Sequence, residues 1–284
     1  MRLLTYEKNG AFGLAARRND HLVNLGNISL LSALQEGSLP SLKKKIDSAP
    51  VLSEADIKIA LPIASPPKII CVGLNYADHK AEGPYKDKKF TYPTFFGRYN
   101  TSLVAHGQPI IRPLCSPELD WEGELVAIIG RKGKHIDEAK AIDYVAGYSL
   151  CNEATIRDYQ FKTTQWTVGK NFDATAAFGP EFVTPDELPR SVKEGLKIET
   201  RLNGEVVQSA TTADLIFDIP QLISILSEAI TLEPGDLLVT GTPGGVGFVR
   251  TPKWFMKDGD IAEVEVEGVG VLRSPIKDEA PWRS

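Results

Sequence analysis

The run Asp120-Trp121-Glu122-Gly123-Glu124, followed by Leu125-Val126-Ala127-Ile128-Ile129, constrains the fold more than any other stretch of the chain. An unbroken apolar run of this kind reads as a strand buried on both faces, so a sheet must carry packed material above and below it. Side chains alternate along a strand, so Glu122 and Glu124 point the same way at its entrance. Two unpaired carboxylates there repel each other. A hard divalent cation between them removes that cost, and Mg²⁺ and Mn²⁺ both favour carboxylate oxygen. A solvated strand end would also tolerate the pair.

The rest of the chain supplies the covering layers. Its 284 residues, at roughly 150 per domain, make one large domain or two unequal ones. The stretch 61–67 (Leu-Pro-Ile-Ala-Ser-Pro-Pro) is too rich in proline for a helix or central strand and marks a boundary, giving a small unit over 1–65 and a large one over 66–284. In the small unit, strands are expected over 1–6, 12–16 and 21–25, separated by Lys8-Asn9-Gly10 and Arg18-Asn19-Asp20. Short helices follow over 28–36 and 41–48, broken by the residues between. The large unit reads as mostly β, with strands over 68–73, 124–129, 146–150, 196–202, 205–209, 236–240 and 261–267. Asn203-Gly204 is a hairpin signal. Helices are expected over 137–145 and over 219–229, the second with Pro220 in its first turn and Leu222, Ile223, Leu226 and Ile230 on one face. The fold class is α+β, predominantly β.

Composition removes several functions. Acidic residues outnumber basic ones 37 to 32, for a net charge of −5, which argues against binding a nucleic-acid backbone. No apolar run approaches the ~18 residues of a membrane span, and the opening MRLLTYEKNG has no signal-peptide core. Cys71, Cys115 and Cys151 share no zinc-type spacing, so the expectation is a cytoplasmic protein without disulfides, with Cys151 a small buried residue.

Three further segments can carry chemistry. If a helix begins near Cys151, then Glu153, Arg157 and Gln160 share one face and could complete a metal shell and grip an anion; an exposed face with an ordinary ion pair has the same spacing. His79 and Glu82 meet on one helical turn, as a water-activating base or as a surface pair, and the lysine-rich 86–89 stretch after Gly83-Pro84 has the make-up of a lid. The segment Val239-Thr240-Gly241-Thr242-Pro243-Gly244-Gly245-Val246-Gly247 is a tight turn or a nest of N–H groups for an anion, and not a phosphate-binding P-loop.

The order of these motifs is more specific than any one of them. Asn75-Tyr76-Ala77-Asp78-His79, Asp120-x-Glu122-x-Glu124, Arg157-Asp158-x-Gln160, Trp166-x-x-Gly169-Lys170-Asn171, Gly179-Pro180, Asn203-Gly204-Glu205 and Thr240-Gly241-Thr242-Pro243 follow one another as in the fumarylacetoacetate hydrolase family, which the chain closely resembles from about Lys68 onward. The N-terminal part is similar to the small variable domain of bacterial members. The resemblance implies a mixed β-roll with a small N-terminal α/β domain, assembled as a homodimer, and a site holding Mg²⁺ or Mn²⁺ through Glu122, Glu124 and Glu153. The third ligand is usually the aspartate of an Asn-Asp pair, and this chain has Asn152-Glu153 instead. Arg157, Gln160 and Lys170 match positions that hold the substrate's carboxylate and oxo group, with Lys170 stabilising the charge that develops there. Thr242 matches a further carboxylate contact, and His79 and Glu82 match a catalytic dyad on the lid. The substrate class implied is a small 2-oxo acid. Hydrolysis of the C–C bond of 2,4-dioxo acids (acylpyruvates or a diketo sugar acid), releasing pyruvate, is the leading expectation. Oxaloacetate decarboxylation and 2-hydroxyhepta-2,4-diene-1,7-dioate isomerisation are the enzymatic alternatives, and a purely structural metal-binding β-domain is the non-enzymatic one.

Overall fold

The computed structural model describes residues 1–82 and 91–281. The strand Gly123–Ile129 lies at its centre, and every residue of it is buried. The unbroken apolar run is explained by where alternate side chains go. Leu125, Ala127 and Ile129 enter one core together with Ile198, Val264 and Leu272. Val126 and Ile128 enter another with Leu14, Leu30 and Phe178. One strand thus serves two hydrophobic layers, which only a sheet covered on both faces allows.

Gly123–Ile129 pairs antiparallel with Val145–Glu153 on one side and with Leu237–Val239 on the other. They belong to a sheet of twelve strands that continues through Ile69–Gly73 to Thr94–Gly97 in one direction, and through Ala176–Val183 to Arg2–Lys8, Ala11–Arg18 and His21–Gly26 in the other. The N-terminal strands therefore extend the same sheet, with Arg2 opposite Val183 and Leu3 opposite Phe182. Parallel and antiparallel pairs are mixed, since Leu237–Val239 runs parallel to Ile69–Gly73. A second sheet of five strands, in the order Glu205–Thr211, Lys197–Leu202, Ile261–Val266, Gly270–Asp278 and Ile110–Arg112, closes over one face. The protein is mainly β, a mixed β-roll. The helix Ile219–Ala229 buries Leu222, Ile223 and Leu226 and starts with a capping box between Asp218 and Gln221. Among the described residues no helix is long and apolar enough to cross a membrane.

Two helical readings give way to strands. Over 137–145 only Glu138–Ala141 is α-helical, and a short 3₁₀ turn follows because Val145 already pairs with Ile129. The condition for Glu153, Arg157 and Gln160 to share a face, a helix beginning near Cys151, is not met. Cys151, Asn152 and Glu153 are held extended between Gly123–Ile129 and Ala176–Val183, and ladder bonds on both sides outweigh the helical spacing of their side chains. A helix forms only over Arg157–Gln160. Glu153 and Arg157 therefore do not share a helical face, although both reach the same site. The strands Ala176–Val183 and Gly270–Asp278, which contain Pro180 and Pro275, were not among those read from the sequence. The first accommodates its proline at a register irregularity opposite Tyr148 and Leu150.

Candidate active site and metal centre

Glu122, Glu124 and Glu153 converge because of strand register. Gly123 lies opposite Asn152 and Glu124 opposite Cys151, so the ends of two neighbouring strands bring the three side chains together. Glu153 N–H donates to the Glu122 carbonyl (2.8 Å), and Glu122 N–H donates to the Asn152 side-chain oxygen (3.0 Å). One carboxylate oxygen from each glutamate lies within 4.8 Å of the others, and all three residues are buried. The residue between the first two must be small on its other face. A Cβ on Gly123 would stand 2.0 Å from Thr200 Oγ1, so glycine lets the five-stranded sheet close behind the carboxylates.

Cations face this cluster from two short helices and a loop. Lys170, ending the helix Thr167–Lys170, donates to Glu122 Oε2 (2.6 Å) and Glu153 Oε2 (3.1 Å). It gets this close because Gly169 packs against Arg157–Gln160, where a Cβ would lie 2.4 Å from Gln160 N. Arg157 donates through Nε to Asp120 Oδ2 (2.7 Å), and through Nη1 to Gln160 Oε1 (2.9 Å) with Glu122 Oε1 at 2.7 Å. Its buried Nη2 has no partner among the described residues. Arg98 donates through Nε to Glu153 Oε1 (2.7 Å). Four carboxylates, counting Asp120, thus meet three cations in a buried space.

That imbalance is felt by Glu124. Burial, then the neighbouring Glu153 and Glu122, push its carboxyl well above the usual glutamate range, against the opposing pull of Lys170 and the Gly241 N–H. Burial pulls Lys170 down, but Glu122 and Glu153 outweigh it and hold the side chain above the ordinary lysine value, as an ammonium. A cluster of hard oxygen donors with surplus negative charge fits a divalent cation.

A test follows from the sign of the Glu124 shift. The folded, metal-free protein keeps a proton that the unfolded chain has lost, so its stability falls as pH rises from the ordinary glutamate range toward the raised value. Loading a dication requires the carboxylate form. Mn²⁺ titrated into metal-stripped protein, across the range above the ordinary glutamate pKa, is therefore expected to release a proton and to bind more tightly as pH rises. Calorimetry in two buffers of unequal ionisation heat reads this directly, and equal apparent enthalpies count against a protonated Glu124.

The glycine-rich loop does form a nest, but for the protein's own carboxylates. Gly241 N–H donates to Glu124 Oε2 (2.5 Å), Gly245 N–H to Glu82 Oε2 (2.7 Å) and Gly247 N–H to Asp120 Oδ1 (2.7 Å). Thr242 lines the cleft, but its hydroxyl donates to the Gly123 carbonyl (3.0 Å) and accepts from Gln208 Nε2 (2.8 Å), so it is engaged within the protein. Glu82 is exposed on the helix Ala77–Glu82, beside the Gly244-Gly245 turn in a neighbouring hollow with Tyr76, Asp78 and Gln208. His79 lies on the same helix, and its side chain, like residues 83–90 with the expected lid, falls outside the described residues. Cys151 is a buried thiol whose pKa burial pushes well up, as a core residue requires.

Above the charged floor the cleft is apolar, lined by Val72, Leu74, Phe161, Trp166, Val246 and Phe248, and its volume is ≈ 530 Å³ counting the open mouth. The Phe161 and Phe248 rings meet at 5.1 Å, tilted by 35°, and Phe96 backs Trp166 edge-on at 5.6 Å. Three residues of this site carried no assigned role in the sequence. Asp120 anchors Arg157, Gln208 fastens Thr242 and the Gly123 N–H, and Arg98 holds Glu153. Asp120 had a signal, its place two residues before Glu122; a lone arginine such as Arg98 and a lone glutamine such as Gln208 had none.

Residues 68–277 match the family model described as fumarylacetoacetate (FAA) hydrolase C-terminal. The oxaloacetate tautomerase fahd2, mitochondrial, of Xenopus laevis is 40% identical over 244 residues, spanning 85% of this chain and 75% of that protein. Fumarylacetoacetate hydrolase from the psychrophile Exiguobacterium antarcticum superposes with a TM-score of 0.87 at 33% identity, over 98% of this chain and 100% of that one. The 2-hydroxyhepta-2,4-diene-1,7-dioate isomerase of Mycobacterium marinum superposes with a TM-score of 0.77 at 28% identity, over 99% and 100%. Sequence match, fold and a buried carboxylate cluster at the end of the central strand agree, and the chain belongs to the fumarylacetoacetate hydrolase family.

Proposed function

We propose that the protein is a divalent-metal-dependent enzyme that acts on a small 2-oxo acid through its enolate, and that its reaction is keto–enol tautomerisation of an oxaloacetate-like acid. The observation that carries this reading is the Lys170 ammonium, buried beside Glu122 and Glu153 at the floor of the cleft. When bound, Mg²⁺ or Mn²⁺ supplies Lewis acidity that polarises a 2-oxo group. The chain's own residues do the rest. Arg157 offers Nη2 to the substrate carboxylate. Gln160 has its side-chain oxygen committed to Arg157, which leaves its NH₂ as a donor toward the same ligand. Lys170 donates to the 2-oxo oxygen and stabilises the negative charge that gathers there as a C3 proton leaves. Glu82, which accepts from the Gly245 N–H, is the base assigned to take the C3 proton, and the enolate oxygen gains its proton from the Lys170 side.

This order differs from the sequence expectation, in which hydrolysis led. Tautomerisation needs one proton shuttled, whereas hydrolysis also needs an activated water. A relative 40% identical is named an oxaloacetate tautomerase, which supports the order given. Hydrolysis of a 2,4-dioxo acid is the second reading, favoured by the apolar upper wall, which suits an acyl group better than a second carboxylate. A purely structural metal site is disfavoured, since it has no use for an ammonium between its ligands and an unspent guanidinium nitrogen.

The enol band of oxaloacetate and pyruvate release from acetylpyruvate, each followed with and without Mn²⁺, separate the readings. Metal-dependent loss of the enol band is expected, and E122Q should lose both Mn²⁺ binding and this activity. Pyruvate release without accelerated tautomerisation would put hydrolysis first. Undiminished Mn²⁺ binding by E122Q, with no turnover of either acid by the wild type, would sink the site.

A further inference from the structure

We propose that Arg98 is a positioning residue of the metal centre, pinning one oxygen of Glu153 so that only the other is presented beside Glu122 and Glu124. The proposal rests on the divalent-metal reading above. Arg98 follows the strand Thr94–Gly97, and its backbone N–H is fixed to the Ile69 carbonyl (3.2 Å). Its guanidinium is wholly buried and makes three contacts: Nε to Glu153 Oε1 (2.7 Å), Nη2 to the Ala154 carbonyl (2.6 Å) and Nη1 to Thr175 Oγ1 (3.5 Å). One planar edge thus grips both the side chain of residue 153 and the main chain of residue 154. That fixes the carboxylate relative to its own backbone. Glu153 Oε2 is left on the inner side, 3.1 Å from Lys170 Nζ, within the cluster of three carboxylates.

Two roles for Arg98 are distinguishable. As a mere counter-charge among four buried carboxylates, it could be exchanged for any cation, and its removal would draw a metal ion in more strongly. As a fork, it cannot be exchanged for lysine, whose single ammonium does not span two acceptors in one plane. The reach of Glu153 is matched to the same fork. Shortening it by one methylene forces the carboxylate to leave either Arg98 or the other ligands. Aspartate is the residue usual here in the family, so the sequence alone expects E153D to bind metal as well or better; the Arg98 contact reverses that expectation.

The test is Mn²⁺ affinity of the metal-stripped full-length chain by calorimetry, with the electron paramagnetic resonance spectrum of bound Mn²⁺ as a second readout and circular dichroism to confirm folding. R98K and E153D are each expected to weaken binding by about 10- to 100-fold and to change the spectrum. In R98K/E153D the loss should be smaller than the product of the two single losses, because both disturb one contact. Wild-type affinity in folded R98K overturns the proposal. Should R98K fail to fold, wild-type affinity in E153D overturns it by itself. Absence of Mn²⁺ binding by the wild type, or full binding by E122Q, would instead defeat the metal reading; strong wild-type binding that E122Q loses and R98K keeps defeats only the role given to Arg98.

Discussion

K170M lowers turnover of the preferred 2-oxo acid by about 10²- to 10³-fold, the effect of deleting one preorganised donor to a developing oxyanion. Metal affinity is expected to move the other way, or not at all. The Lys170 ammonium touches Glu122 and Glu153, so it competes with a dication for their oxygens, and methionine of similar length removes the competitor without opening a hole. The pair of measurements decides the role. A kcat loss with Mn²⁺ binding kept or tightened marks Lys170 as a group acting on the substrate. If Mn²⁺ binding and turnover fall together by the same factor, Lys170 only props up the carboxylates, and the enolate mechanism loses its main donor.

D120N is the substitution with the largest expected cost in stability. The buried carboxylate accepts from Trp121 N (2.9 Å) and Gly247 N (2.7 Å) on one oxygen, and from Arg157 Nε (2.7 Å) and Phe248 N (2.9 Å) on the other. An asparagine must turn its NH₂ toward two donors whichever way it is oriented, and it leaves Arg157 without its charge partner. Breaking a buried pair from one side costs about 3–5 kcal/mol, and Tm should fall on the order of 10 °C for a domain of this size. KM should rise as well, because Arg157 loses the contact that aims it, while the Glu122–Glu124–Glu153 cluster keeps its register. A melting midpoint within about 2 °C of the wild type would show that Asp120 is not the anchor described.

Legibility in the sequence followed sequence distance. The central strand, the Asn203-Gly204 hairpin and the helix Ile219–Ala229 were readable because period, turn residues and caps lie within a few positions of each other. Glu122 and Glu124 were readable as a pair for the same reason. Family resemblance grouped Glu153 with Glu122 and Glu124, beside which it lies; periodicity grouped it on a helix with Arg157 and Gln160, whereas two neighbouring strands hold it extended. No strand was read over Ala176–Val183 or Gly270–Asp278; each is held by long-range pairing, the first across a register irregularity at Pro180. Arg98 lies 55 positions from the glutamate it holds, and no local pattern could link them.

The loop from Gly241 to Gly247 has a consequence for how such a site responds to substitution. Its amides at Gly241, Gly245 and Gly247 reach the carboxylates of Glu124, Glu82 and Asp120, and all three links are donated by main chain.

 Replacing any of these glycines keeps the N–H but not its place: Gly241 and Gly245 sit at φ +104° and +99°, and a Cβ on Gly247 would stand 1.8 Å from the Trp254 carbonyl, so a substitution acts by displacing the backbone. A change within the loop therefore acts on all three partners through one backbone, whereas a change at Glu124, Glu82 or Asp120 removes a single link. One short stretch of main chain thus ties together three acidic side chains drawn from a strand end, a helix end and the residue two before Glu122, while the apolar residues above them, Val72, Leu74, Phe161 and Trp166, take no part in these three links.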